Sequence, residues 1–415
     1  MENWLIVGGG GREYMLAQTL AKQSDRQVYV APGNPKMNEL ERVSTVDIEE
    51  LEFSKLAFFA ETKKVQCTVV GPEQPLSAGI VDYFQARDLS IFGPDQQAAK
   101  LESSKTFAKQ MMAKSGVPTA KYQEFDDPEA ALSSLPGQSL PLVIKADGLA
   151  AGKGVIIART MAEAEQAIHR LAASGSKKLL FEDFLTGEEF SLFAMVQGET
   201  FITMPVAQDH KRLNDGDKGP NTGGMGAYSP VPHINETLKS RAIEHVIRPI
   251  LSAMKVNGTP FNGFLYAGLI NTAAGIKVIE FNVRMGDPET QVVLPQLQSD
   301  LGNLILALKQ GQLPDVTWQS GQYYLGTVIA SRDYPRNVVN GRPLPVITDP
   351  DLLVTYAGVA EVDGQLVSHG GRVMMVTAKA DNLQVAQTHV NTALDADVDT
   401  KAFTFRHDIG WRALN

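Results

Sequence analysis

Glu280, Asn282 and Arg284 alternate along the run Val278-Ile279-Glu280-Phe281-Asn282-Val283-Arg284-Met285-Gly286-Asp287-Pro288-Glu289-Thr290. In an extended strand, residues spaced in this way share one face. A carboxylate beside an amide oxygen suits Mg²⁺, which also takes phosphate oxygens. A guanidinium next to them suits a carboxylate or a phosphate. The competing reading is an ordinary amphipathic strand. A second cluster is Asp209-His210-Lys211-Arg212, followed by Gly219-Pro220-Asn221-Thr222-Gly223-Gly224-Met225-Gly226-Ala227-Tyr228. Four consecutive ionisable residues ahead of so permissive a loop point to function, since loops of this kind usually carry it. A solvated charged loop is the plain alternative.

Three further stretches have phosphate or nucleotide chemistry. Gly8-Gly9-Gly10-Gly11-Arg12-Glu13 lies between a strand-like and a helix-like run. Glycines there allow close backbone approach, and a helix N-terminus favours an anion. It is not the dinucleotide fingerprint, because Glu13 stands where the third glycine belongs. Val143 to Val155 carries Lys145 in a strand and Lys153 in a Gly/Ala turn. A buried lysine needs a partner, and a flexible turn could close over a polyphosphate. It fails as a Walker A loop, for no Ser or Thr follows Lys153. In Phe181 to Ser191, acids follow a strand and could accept hydrogen bonds from an adenine amino group and ribose hydroxyls. Asn34 and Gly71-Pro72-Glu73 fall where parallel strands end, the usual ligand edge of such sheets, although turns also favour these residues.

The elements that must position these residues begin with an alternating pattern. Trp4–Val7, Val28–Ala31, Cys67–Val70 and Ser90–Phe92 read as strands, each stopped by glycine or proline, with a helix from Glu13 to about Lys22. That predicts an α/β fold with a parallel sheet. Ser103 to about Ser115 reads as one helix ended by Gly116 and Pro118. A glycine-rich hairpin spans Gly148 to Gly154, and a long glycine-rich loop spans 214–226. Tyr324–Ala330, Leu352–Tyr356 and Arg372–Thr377 make the last 95 residues strand-rich, with a helix near 382–394. His169, His233, His245 and His389 show no carboxylate or cysteine neighbourhood in sequence and read as surface or structural residues.

With 415 residues, several domains are expected at roughly 100–200 residues each. Hydrophobic content of 43% with 20% charged residues reads as a globular chain. No apolar run approaches the roughly 20 residues of a membrane span, and Met1 to Val7 lacks the basic start of a signal peptide. A single cysteine, Cys67, excludes an internal disulfide and suits a reducing, cytoplasmic setting. A net charge of −9 gives no basic footprint for nucleic acid. A local Lys/Arg pocket remains compatible with anionic small substrates.

Together these motifs resemble the ATP-grasp ligases, and within them the phosphoribosylamine–glycine ligase family. The resemblance covers essentially the whole chain. It is carried by Gly8–Glu13, Gly71-Pro72-Glu73, Lys145–Val155, Gln208–Pro230, Phe281–Thr290 and Arg406-His407-Asp408-Ile409-Gly410. It implies an ATP-grasp fold with a Rossmann-like parallel-sheet domain at 1–100 and a central domain of 101–118 with 190–320. A lid at 119–189 and a C-terminal β-rich domain at 321–415 complete it. ATP and Mg²⁺ or Mn²⁺ are the implied cofactors, and glycine and 5-phosphoribosylamine the small-molecule partners of a monomer. ATP is expected at Lys105, Lys145, Gly152, Lys153, Gly154, Glu182, Phe184, Leu185 and Glu189, and the metal at Glu280 and Asn282. The other substrates are expected at Gly10, Gly11, Arg12, Glu13, Asn34, Glu73, Asp209, His210, Lys211, Arg212, Asn221, Thr222, Arg284, Gly286 and Asp287. Lys145, Arg284 and Asp287 are the expected catalytic residues, with Arg284 on the glycine carboxylate and Asp287 on its ammonium group. The implied reaction passes through glycyl phosphate.

The chain departs from the family's usual pattern in three places. Tyr14 stands for the usual His, Asp333 for Gly, and Tyr356-Ala357-Gly358-Val359 for His-Ala-Gly-Thr. Rival readings are another ATP-grasp ligase or carboxylase, a nucleotide-binding protein without catalysis and, weakest, a dehydrogenase.

Overall fold

In the computed structural model, residues 1–149 and 154–414 are described. Trp4, Leu5, Ile6 and Val7 are fully buried at the centre of a five-stranded parallel sheet. Its order is Val43–Thr45, Arg26–Pro32, Glu2–Gly8, Val65–Val70, Ile91–Phe92. Continuous apolar strands are what a parallel sheet covered on both faces demands. Strand order reverses beside Glu2–Gly8, so Gly8–Gly11 and Gly71-Pro72-Glu73 emerge side by side at the switch point, where such sheets take ligands. The Gly71 amide donates to Val7 O at 2.9 Å. Three differences from the expected elements appear here. The strand Val43–Thr45 and the helix Phe53–Thr62 were not foreseen, and the helix expected from Ser103 breaks at Ser104 into Lys100–Ser103 and Lys105–Ser115. Ser104 caps the second piece, its Oγ accepting from Phe107 N.

Two antiparallel sheets follow. One is Tyr122–Phe125, Leu179–Asp183, Leu142–Ala146, Val155–Ala158, backed by the helix Met161–Ala173. The other is Thr200–Thr203, Glu188–Gln197, Asn262–Thr272, Gly275–Asn282. In its last pair, Gly268 faces Glu280 while Leu269 faces Val278, so Ile279 is bulged out. A bulge leaves backbone groups unpaired; the freed Ile279 carbonyl accepts from Lys145 Nζ at 3.1 Å. That bond joins the two sheets at the point where the acidic strand runs.

The C-terminal sheet is built around Tyr323–Ser331 and Arg372–Ala380, with Leu353–Tyr356 beyond them and the helix Leu383–Asp397 packed across. Gln208–Asp209 and Gly226–Ser229 join the same sheet through Tyr323–Ser331. The sheet therefore draws on residues from both sides of position 320. Between these two short strands, Arg212–Asn214 pairs with Lys218–Asn221, so the stretch expected as loop contains a hairpin. Three of the four histidines read as surface or structural residues do have acidic neighbours: Nε2 of His389 lies 2.7 Å from Asp349 Oδ2, that of His233 3.8 Å from Glu188 Oε2 and that of His169 3.9 Å from Glu165 Oε1.

Candidate active site

Two clusters form, and Arg284 lies between them. The first sits at the seam of the two antiparallel sheets. Glu182, 4% exposed, bridges two lysines: Oε1 is 3.0 Å from Lys145 Nζ and Oε2 is 3.0 Å from Lys109 Nζ. Buried ammonium groups require such compensation. Burial pulls Lys109 down to about 8, with Glu182 opposing. Lys105 comes from the helix beneath; its Nζ donates to Gly148 O at 2.9 Å, and its amide donates to Asp147 Oδ1 at 2.6 Å. Burial lowers the Lys105 ammonium, Glu280 working against it.

Burial disfavours ionised Glu280, yet Lys211, Lys145, Lys105 and Arg284 outweigh it and hold the carboxyl below its usual range. Glu280 and Asn282 share a face, as the alternation predicts. Lys211 Nζ stands 3.8 Å from Glu280 Oε1 and 3.9 Å from Glu189 Oε2. Among the described residues no group of three or more His, Cys, Asp or Glu could hold a metal by itself. An ionised carboxylate with one amide oxygen still fits Mg²⁺, which binds through one or two protein ligands and completes its shell with phosphate oxygens and water.

Arg284 links this seam to the second cluster. Its Nη2 donates to Asn282 Oδ1 at 3.3 Å and to Glu102 Oε1 at 3.0 Å, its Nε to Glu73 Oε2 at 3.1 Å, and its Nη1 to Met285 O at 3.2 Å. Glu102 and Glu73 outweigh burial and raise the guanidinium further. One Nη1 hydrogen has no protein acceptor among these contacts.

The second cluster lies at the switch point. Glu13 is 2% exposed and fills the space left by Gly8 and Gly71. Its Oε2 accepts from the Gly10 amide at 2.8 Å and its Oε1 from Arg12 Nε at 2.5 Å. Glu13 therefore already uses one amide of the glycine turn. Arg12 Nη1 reaches Met285 O at 3.3 Å. Asn34 Nδ2 donates to Gly9 O and Tyr356 O, while its buried Oδ1 has no partner. The departures Tyr14 and Tyr356 pack together here, ring centroids 5.8 Å apart, with Lys36 Nζ 4.7 Å from the Tyr356 ring centroid. Asp287 accepts from Gln291 Nε2 and Arg372 Nη2, each at 2.8 Å.

The structure does not bring every expected residue to these clusters. Asp209 and Lys211 turn inward, whereas His210 faces the opposite way, its Nε2 accepting from the Gly410 amide at 3.2 Å. Arg212 donates to Gly219 O, and its own carbonyl accepts from the fully buried Arg406. Asn221 lies in the hairpin opposite Arg212. Thr222 holds Lys211 O through both its amide and its hydroxyl, so it shapes the loop. A Cβ at Gly286 would sit 2.4 Å from Glu289 Oε2. Phe184 is 37% exposed and Leu185 half-buried, and Glu189 is exposed. Gly154 closes the base of the hairpin, its carbonyl accepting from the Ala146 amide. Gly152 and Lys153 lie outside the described residues.

Sequence reasoning missed Lys109, Glu102, Arg372 and Gln291. Lys109 could have been found, being one helical turn after Lys105 on the same face. Nothing local marks the other three.

A parallel sheet with a phosphate-suited turn, and two antiparallel sheets meeting at lysines and an acidic strand, define an ATP-grasp enzyme. The chain belongs to the phosphoribosylglycinamide synthetase family: that family's N domain matches residues 2–102, its ATP-grasp (A) domain 103–290 and its C domain 324–412. It is 47% identical over 418 residues to a phosphoribosylamine–glycine ligase of Streptococcus pyogenes serotype M18, covering 99% of both chains. It is 47% identical over 412 residues to one of Lactococcus lactis, again covering 99% of both. The crystal structure of phosphoribosylamine–glycine ligase from Thermotoga maritima superposes with a TM-score of 0.83 at 31% identity, covering 98% of this chain and all of that one. A biotin carboxylase from Campylobacter jejuni, at 15% identity and a TM-score of 0.73 over 97% of this chain and 93% of that one, shares the fold.

Proposed function

We infer that the protein joins glycine to 5-phospho-D-ribosylamine with ATP, giving glycinamide ribonucleotide, ADP and phosphate, a step of purine (IMP) biosynthesis. The observation that carries this reading is Arg284, which spans the Glu280–Asn282 face on one side and Glu73 at the switch point on the other. An activating site and an acceptor site are thereby contiguous, as a two-step transfer requires.

A carboxylate is a poor electrophile and must first be activated. A glycine carboxylate oxygen attacks the γ-phosphorus of ATP in line; that O–P bond forms, the bond to the bridging oxygen breaks, and ADP leaves. The ribosylamine nitrogen then attacks the acyl carbon, phosphate departs with the oxygen it gained, and the nitrogen loses its proton to water. Lys105 and Lys145 would meet the phosphates, with Glu182 3.0 Å from Lys145 Nζ holding that lysine. The backbone at Phe184-Leu185 would meet adenine, and Glu189 the ribose. A divalent cation, Mg²⁺ or Mn²⁺, held by Glu280 and Asn282 would offset the charge of the transferring phosphoryl group. The remaining Nη1 hydrogen of Arg284 would take the glycine carboxylate, and Asp287 the ammonium group. Gly10, Gly11, Arg12, Asn34 and Glu73 would hold the phosphoribosyl group, with Asp209 and Lys211 beside the acceptor.

No side-chain nucleophile is needed; positioning and exclusion of water do the catalytic work, since an acyl phosphate hydrolyses in an open site. The cover is proposed to be the connection between Leu142–Ala146 and Val155–Ala158, the expected hairpin Gly148–Gly154, of which residues 150–153 lie outside the described residues. The proposed domains are 1–100, 101–118 with 190–320, 119–189 as a lid, and 321–415; the family segments 2–102, 103–290 and 324–412 support the outer divisions near 100 and 320. ATP use and the buried, unpaired Cys67 support a cytoplasmic setting.

The test is ADP release measured with glycine and freshly made phosphoribosylamine, each omitted in turn, and with bicarbonate in place of glycine. Release that needs both substrates supports the reading. Release without glycine, or with bicarbonate alone, overturns it.

A further inference from the structure

Arg372 opens a strand of the C-terminal sheet, yet its guanidinium lies against the acceptor cluster. Nη1 donates to Asp287 O at 2.7 Å and to Gly223 O at 2.8 Å; Nη2 donates to Asp287 Oδ2 at 2.8 Å. About a fifth of each side chain, 21% for Arg372 and 19% for Asp287, is exposed. A Cβ on Gly223 would stand 3.2 Å from Arg372 Cζ, so the bare backbone lets the guanidinium lie close to the turn. Gly224, at φ +114, could not carry a side chain without strain, and a Cβ there would sit 2.4 Å from Pro288 Cδ. The Gly223 amide donates to Tyr334 Oη at 2.9 Å. From the N-terminal side, a Cβ on Gly10 would lie 3.8 Å from Asp287 Oδ2. All three parts of the chain therefore converge on this one carboxylate.

We propose that Arg372 is a positioning residue for the amino-acid substrate, fixing Asp287 and the Gly223–Gly224 turn around the substrate ammonium group, so that the site is incomplete without the C-terminal sheet. The proposal rests on the reading that Asp287 receives the glycine ammonium group. Each carboxylate oxygen offers two lone pairs. Arg372 and Gln291 take one on each oxygen and leave the others directed elsewhere. Among the described residues, Arg372 from the sheet and Gln291 from the following helix bond to Asp287, and Arg12 from the first helix and Arg284 from its own loop add positive charge nearby. Burial pushes the carboxyl up, but Arg372, then Arg12, bring it below its usual range. The ammonium-binding form is thus kept charged at an oriented carboxylate, and the orientation comes from a distant part of the chain.

The experiment compares Arg372→Met and Arg372→Lys with the wild type, varying glycine and ATP separately from acid to alkaline pH, with thermal midpoints recorded alongside. For Arg372→Met the glycine KM rises about 10–100-fold, the scale of a lost hydrogen bond to a charged group, while the ATP KM stays within about twofold. The acidic limb of kcat/KM for glycine moves to higher pH, because Asp287 loses its largest stabilising charge. Arg372→Lys restores that limb but only part of the KM, having charge without the fork. Two results overturn the proposal: glycine and ATP KM rising together, or a glycine KM and acidic limb unmoved in both variants. If Arg372→Met fails to fold, the Lys variant decides alone, on a raised glycine KM with its limb in place. A wild type showing no glycine-dependent ADP release would instead sink the underlying reading of the reaction.

Discussion

Arg284 Nε meets Glu73 Oε2 at 3.1 Å although 211 positions separate them in the chain. That contact fixes the distance between the turn after the fourth helix-flanked strand of the parallel sheet and the acidic strand of the central sheet. Arg284 Nη2 simultaneously holds Glu102, whose Oε2 accepts from the Val283 amide at 2.7 Å. The acidic strand is therefore anchored immediately beyond Asn282, where a metal–phosphate complex would pull on it.

Glu280→Ala removes the only carboxylate on that metal-facing pair. ADP formation at saturating Mg²⁺ should fall about 10²–10³-fold, the scale seen when one preorganised electrostatic group is lost. Steady-state assay checks it. A rate within a few-fold of wild type would remove Glu280 from the chemistry.

Glu182→Ala leaves Lys109 and Lys145 buried without their shared carboxylate. Breaking a buried pair in this way costs about 3–5 kcal/mol. The exposed pair Arg248–Glu244, with side chains 58% and 59% exposed, offers the contrast: Arg248→Ala should cost less than about 1 kcal/mol. Calorimetric midpoints of the two variants, measured side by side, should differ clearly; equal shifts would show that Glu182 is not the compensating charge.

Gly71→Ala places a Cβ 1.8 Å from Glu13 Oε1, a contact that Glu13 must vacate. Glu13 then loses its bond to the Gly10 amide. The phosphoribosylamine KM should rise about tenfold or more, the loss of roughly one charge-assisted hydrogen bond's worth of order at the turn, with the ATP KM little changed. A proportionate rise in both would show that the damage is not local to the switch point.

His210 gives a pH dependence with a definite sign. Burial, reinforced by Arg406 and Arg412, lowers its imidazole from 6.5 to about 3. Between those values the unfolded chain takes a proton that the folded chain refuses, so stability falls as pH falls. The slope is about 1.4 kcal/mol per pH unit per proton. Denaturation of wild type and His210→Gln across pH 4–7 should show the slope lessened by about that amount in the variant. Parallel curves would mean that His210 is protonated in the folded protein.

What could be read in the sequence follows from how local each signal is. Trp4–Val7 and Cys67–Val70 are short apolar runs ended by glycine or Gly-Pro, and they were legible because a doubly covered parallel sheet needs little else. Val43–Thr45 is only three residues long, too short to show a period. In Phe53–Thr62, Phe58 is 69% exposed, which blurs the apolar stripe. The alternation of Glu280 and Asn282 was legible as a shared face, although the strand ends at Asn282 and Arg284 lies just beyond it. Its anchoring was not, since Glu73 and Glu102 come from two short helices far away in the chain. His210 looked equivalent to Asp209 and Lys211, but an extended segment sends alternate side chains to opposite sides. Arg372 carries no local mark at all: only the packing of the C-terminal sheet brings it to Asp287.

The most direct test of the account follows oxygen. Glycine labelled with ¹⁸O in its carboxylate is turned over with ATP and phosphoribosylamine, and the released inorganic phosphate is examined by mass spectrometry. Attack of the carboxylate on the γ-phosphorus requires each phosphate to carry one labelled oxygen. Phosphate released without label would contradict it.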